Sequence, residues 1–123
     1  MMRKILLPLF CAAGLSALAE DWPMWRHDVE RTAESPQVLK DELSLLWSRE
    51  LPRPLPAFND VRLQFDGGYE PIVKGKRLFL ASNREDKVMA FDTNSGALLW
   101  ESFTDGPIRL APVAWRDKGL FGA

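Results

Sequence analysis

The chain has 123 residues, with 16 lysines and arginines against 17 aspartates and glutamates and a formal net charge of −1. That balance, with no basic run after the first few residues, argues against nucleic acid or an anionic membrane surface as partner. A single cysteine excludes an internal disulfide and a thiolate metal cluster, and a single histidine leaves almost no material for a Ser-His-Asp triad or a histidine metal site.

The chain opens with Arg3-Lys4, continues from Ile5 to Leu18 without a charge, and presents Ala17-Leu18-Ala19 before the acidic Glu20-Asp21. A basic start, a short apolar core and small residues at the boundary predict a secretory signal peptide over residues 1–19, cleaved after Ala19. The apolar run falls short of the roughly twenty residues of a membrane span, and no later segment approaches that length, so no span is expected after cleavage. Cys11 lies inside this segment, and Phe10 stands where a lipid-attachment site needs a small residue. The expected location is therefore periplasmic or extracellular.

Residues 20–44 form an N-terminal extension, in which Trp22 and Trp25 are expected to dock the tail on the body of the protein. His27, beside Arg26 and Asp28, is expected to be a surface or tail-packing residue. Residues 45–69 hold the strand-like Leu45-Leu46-Trp47-Ser48, then a loop. Pro52, Pro54 and Pro56 at alternate positions favour extended backbone without ladder donors. Leu55, Phe58 and Phe65 are the apolar residues available to pack this excursion, and a loop of such length is either that or functional.

From residue 70 to 103 four strands are expected in series. They are Glu70-Pro71-Ile72-Val73, then after the Lys74-Gly75-Lys76 turn Arg77 to Ser82, then after the polar break Asn83-Arg84-Glu85-Asp86 the strand ending at Phe91, and last Ala97-Leu98-Leu99-Trp100. Asp92 to Gly96 between the last two is turn chemistry, with side chains that bond local backbone and then a glycine free to take positive φ. Residues 104–123 begin the pattern again. Leu110-Ala111-Pro112-Val113 answers Glu70-Pro71-Ile72-Val73, and Leu120-Phe121-Gly122-Ala123 answers Leu78-Phe79-Leu80-Ala81, at a spacing of about 40 residues. Leu45-Leu46-Trp47-Ser48 is a third echo, of Leu98-Leu99-Trp100-Glu101.

The order Ala90-x-Asp92-x-x-Ser95-Gly96-x-x-x-Trp100 resembles the repeat of the pyrroloquinoline-quinone-type β-propellers, the quinoprotein alcohol dehydrogenase-like superfamily. The resemblance covers roughly Asp21 to Ala123 and is most specific between Glu70 and Pro112. It implies an all-β fold, here a partial β-propeller: a closing strand carrying Trp47, one four-stranded blade, and the truncated start of a second. It further implies that Trp100 lies flat between blades near Ala90, that Gly96 offers its bare peptide to another blade's tryptophan, and that Asp92 accepts N–H bonds near Ser95 and Gly96. A ring of seven or eight such blades needs roughly 300 residues or more, so the chain is expected to be an N-terminal portion.

The function expected from these residues is a non-catalytic, extracytoplasmic binding or assembly scaffold, with the remaining blades or other proteins as partners. No catalytic, cofactor-binding or metal residue is assigned. The acidic pairs Asp41-Glu42 and Glu85-Asp86 lie in turn or linker contexts. Glu70 and Arg109 are the residues expected to face a central channel, as ligand contacts or in stabilising ion pairs. The alternatives are a portion of a quinone-dependent oxidoreductase, for which the resemblance implies pyrroloquinoline quinone and Ca2+, and a truncated product with no independent function.

Overall fold

The computed structural model describes residues 20–64 and 67–122. The expected signal peptide, its Cys11, and Phe65 of the loop lie outside the described residues. The fold is all-β. Strands β1 (Ile72–Lys74), β2 (Arg77–Ser82), β3 (Lys87–Asp92) and β4 (Leu98–Phe103) form an antiparallel sheet in sequential order, and β5 (Val113–Trp115) and β6 (Lys118–Leu120) form a separate antiparallel hairpin. Among the described residues the two sheets do not close into a barrel or ring, and a 3-10 turn at Val61–Leu63 is the helical element.

The first and last strands are shorter than their sequences suggest. β1 starts at Ile72 rather than Glu70 because Pro71 has no N–H to give the ladder. β6 occupies Lys118–Leu120 and includes Gly119, so it begins and ends earlier than Leu120 to Ala123 would have placed it. Residues 45–51 are not paired as a strand in the described structure. Its printed polar contacts to the sheet are made by side chains, Trp47 to the Thr93 carbonyl and Arg49 to the Gly96 carbonyl, rather than by a backbone ladder.

Period-two alternation sorts the four-stranded sheet into two faces. Ile72, Phe79, Ala90 and Trp100 are in register across all four strands on one face. On the other, Leu80, Met89 and Phe91 make the buried core, packed by Leu51, Tyr69 and Leu78. The segment carrying Trp47, Arg49 and Leu51 covers this second face, and the β5–β6 hairpin stands across a cleft from the first. The sheet is thus a middle layer with chain on both sides. Between Ala90 and Phe91 the register to β4 slips by one residue, so Leu99 is an added residue that bends the edge strand.

The N-terminal extension is tied down by backbone. Trp22 and Val73 exchange two N–H···O bonds of 2.8 Å, adding the tail to the outer edge of β1, and the Ala114 N–H reaches the Pro23 carbonyl at 2.7 Å. Only one of the two expected docking tryptophans docks in this way. Trp25 is 43% exposed, with the guanidinium groups of Arg26 and Arg31 over its ring at 5.6 and 5.0 Å.

Asp21 fixes the same join by receiving the Lys74 ammonium at 2.7 Å and the Gly75 N–H. The Lys74 bond, then the Gly75 N–H, hold its carboxyl below the usual aspartate range against a smaller opposing effect of burial. A carboxylate whose folded pKa is depressed stabilises above its unfolded value and loses that contribution as pH falls through the folded one. The contribution of this contact to seating the tail is therefore expected to be present at neutral pH and to be lost below about pH 4, leaving the backbone bonds in place. Exchange protection of the Val73 amide should fall over that window and should already be reduced at neutral pH in Asp21→Asn; protection indifferent to both changes would contradict this role.

Candidate functional site

Two arrangements bring together the residues singled out in the sequence, one at the β3–β4 turn and one at the opposite end of the sheet. In the turn, Asp92 Oδ1 accepts from the Asn94 N–H at 3.0 Å and from both the N–H and the hydroxyl of Ser95 at 2.9 Å. The Gly96 N–H goes instead to the Asp92 main-chain carbonyl at 2.9 Å. The Ser95 N–H and then its hydroxyl are the main causes that hold the Asp92 carboxyl below its ordinary range. Gly96 closes the turn at φ +69°, a left-handed conformation that a side chain resists.

Gly96 is buried by the ring of Trp47, so close that a Cβ on Gly96 would stand 2.6 Å from Trp47 Cδ2. The indole Nε1 donates to the Thr93 carbonyl at 2.9 Å, Arg49 donates to the Gly96 carbonyl at 2.8 Å, and the Arg49 guanidinium lies 4.9 Å from the Phe91 ring centroid. Absence of a side chain at Gly96 is what lets an aromatic ring lie against the peptide. Trp100 is placed differently. It pairs with Ala90 across the strands, its ring is 6.0 Å from that of Phe79, and it remains 42% exposed in the cleft that faces β5–β6.

At the other end, Glu70 and Arg109 line one small cavity with Tyr69, Asn83 and Pro54. Each is engaged with backbone: Glu70 Oε2 accepts the Ala111 N–H at 3.1 Å, and Arg109 Nη1 donates to the Leu55 carbonyl at 3.4 Å. Asn83, which reads in sequence only as part of a polar break, is buried and accepts the Leu55 N–H at 3.0 Å. The Tyr69 hydroxyl donates to the Pro52 carbonyl at 2.8 Å. The loop is therefore secured by hydrogen bonds to its backbone. The apolar packing expected of Leu55 and Phe58 is not what holds it, since both are more than half exposed.

His27 sits in the tail with its ring 4.9 Å from that of Trp22, Nε2 at 3.4 Å from Glu20 Oε1 and Nδ1 at 3.7 Å from Asp28 Oδ2. It packs the tail, as its sequence position suggested. Among the described residues no group of three His, Cys, Asp or Glu side chains is placed to hold a metal ion, and no helix is long and apolar enough to cross a membrane.

The class these observations define is an all-β assembly of antiparallel sheets. Comparison with protein-family models, with curated proteins and with solved structures found no match to this chain.

Proposed function

We propose that this chain is a portion of an exported β-propeller of the quinoprotein-like repeat type, comprising one blade (residues 70–103), a closing strand before it and the start of a second blade after it. Its role is that of a binding or assembly scaffold rather than an enzyme. The observation that carries this reading is the Trp47 ring on the Gly96 peptide, because Leu98-Leu99-Trp100 repeats the sequence of that Trp47 segment on the opposite side of the same sheet. A unit that receives a tryptophan on one face and offers one on the other stacks with others of its kind. Further support comes from residues 45–51, which are not in a strand ladder among the described residues, as suits a strand completed by a different part of a ring.

The cell-level test is recovery of the product outside the cytoplasm with a new N-terminus at Glu20 by mass spectrometry, followed by titration with pyrroloquinoline quinone and Ca2+ and a dye-linked alcohol assay. The scaffold reading expects the Glu20 terminus and neither saturable uptake nor turnover. An intact Met1 or a lipid on Cys11 would defeat the export part, and micromolar quinone binding with turnover would defeat the non-catalytic part.

A further inference from the structure

Two surfaces of the described chain are apolar and charged at once, with opposite signs. The first is the open cleft of about 280 Å³ between the four-stranded sheet and the β5–β6 hairpin, floored by Ile72, Phe79, Val88 and Trp100. Its rim carries Arg77 on one wall and Arg116 and Lys118 on the other, against Asp117, while the Lys74 ammonium at its edge is already held by Asp21. The second is an arm, residues 36–46, which runs without strand or helix between two anchors: the Ser35 hydroxyl, donating to Glu20 Oε2 at 2.6 Å, and the Trp47 ring on Gly96. Val38, Leu43, Leu45 and Leu46 on this arm are each at least 75% exposed. Asp41 and Glu42 lie among them, with Lys40 as the arm's one cation. None of the ion pairs among the described residues involves Asp41, Glu42, Arg77, Arg116 or Lys118.

Each surface supplies what the other lacks. Aliphatic side chains left in water gain by covering a floor of isoleucine, valine and two rings, and a carboxylate pair complements a rim whose cations are in no ion pair. The arm does not close on the cleft of its own chain, since none of its residues lines that cleft. We propose that the arm of one copy docks in the cleft of a second copy, with Leu43 and its apolar neighbours on Phe79 and Trp100 and the Asp41-Glu42 pair toward Arg77 and Lys118. Because every copy owns one arm and one cleft, reciprocal exchange about a two-fold axis fills both and closes the assembly at a dimer. A second copy is the occupant, rather than an unrelated partner, because both halves of the contact and their opposite charges are present in this one chain. The contact requires neither the blade reading nor export.

The test exchanges the charges. Arg77→Glu with Lys118→Glu reverses the rim, and Asp41→Lys with Glu42→Lys reverses the arm; all four positions are exposed and lie outside the Leu80, Met89 and Phe91 core. By sedimentation equilibrium the full chain is expected to dimerise, and each variant alone to self-associate about tenfold more weakly or worse, because like charges then meet in both contacts. Mixing the two variants should restore one-to-one association at the parent's affinity, since both contacts of the mixed dimer again join opposite charges. Recovery on mixing separates a docking contact from a variant that has lost its fold. A monomeric parent, variants that associate as tightly as the parent, or a mixture no tighter than either variant would overturn the proposal. Trypsin gives a reading that needs no variant. Cleavage after Lys40, in the middle of the arm, should slow relative to cleavage after Arg62 as the parent is concentrated into the dimer range, and a ratio independent of concentration would equally overturn it.

Discussion

Replacing Gly96 with alanine is expected to destabilise the protein by about 2–4 kcal/mol, more than any other glycine-to-alanine change in the described chain. Two costs add. Alanine at φ +69° pays for a left-handed conformation, about 1–2 kcal/mol, and its methyl would enter the space of the Trp47 ring. Gly75 isolates the first cost, because it has φ +59° and a Cβ there would meet nothing within 4 Å, so Gly75→Ala should lose only about 1 kcal/mol. Gly119 has neither, and Gly119→Ala should fall within about 0.5 kcal/mol of the parent. Urea unfolding of the three variants measures the order directly. Trp47→Ala combined with Gly96→Ala should lose less than the two changes summed, since the steric cost vanishes with the ring. If Gly96→Ala were no worse than Gly75→Ala, the ring would not be seated on that peptide in solution.

The purified chain freed of residues 1–19 is expected to self-associate at micromolar concentration. β4 is an edge strand exposed along its whole length, and it carries Leu98, Leu99, Trp100 and Phe103, the last 69% exposed. The Trp100 side adds Phe79 and Phe121 around an open cleft of about 280 Å³ between the two sheets. Unpaired strand edges beside apolar faces are templates for association, and a chain of this size has a small core from which to oppose it. Trp100→Ser together with Phe103→Thr removes two of the exposed rings without touching the Leu80, Met89 and Phe91 core, and should shift sedimentation toward monomer. A parent chain that sediments as a monodisperse monomer and melts in one sharp cooperative transition would show instead that the segment folds independently with a solvated β4 face.

Both expectations depend on a division of labour between local and distant contacts. The Asp92 to Gly96 turn was legible because its hydrogen bonds join residues two to four apart, and carboxylate, hydroxyl and glycine are the residues that such short spans select. The antiparallel order of β1 to β4 followed for the same reason, each strand being joined to the next by a short polar turn.

What covers them was not legible in the same way. The seat of the Trp47 ring on Gly96 joins residues far apart in the chain, and repetition of a Leu-Leu-Trp sequence suggested a relation between Trp47 and Trp100 without giving the exposure of either. Asn83 carried no signal, because a buried asparagine that accepts one backbone N–H looks in sequence like any turn residue. Arg109 and Glu70 were singled out for position, yet their partners, the Leu55 carbonyl and the Ala111 N–H, are backbone groups that every residue possesses. By itself the sequence determined the four strands between residues 70 and 103 and the turns that join them, since these rest on local conformational preference, while the strand it suggested at Leu45-Leu46-Trp47-Ser48 is not paired in the described structure. Only the tertiary structure decided which ring lies on Gly96, which side chains grip the proline strap and which face stays open, because those outcomes depend on where separately formed segments meet in space.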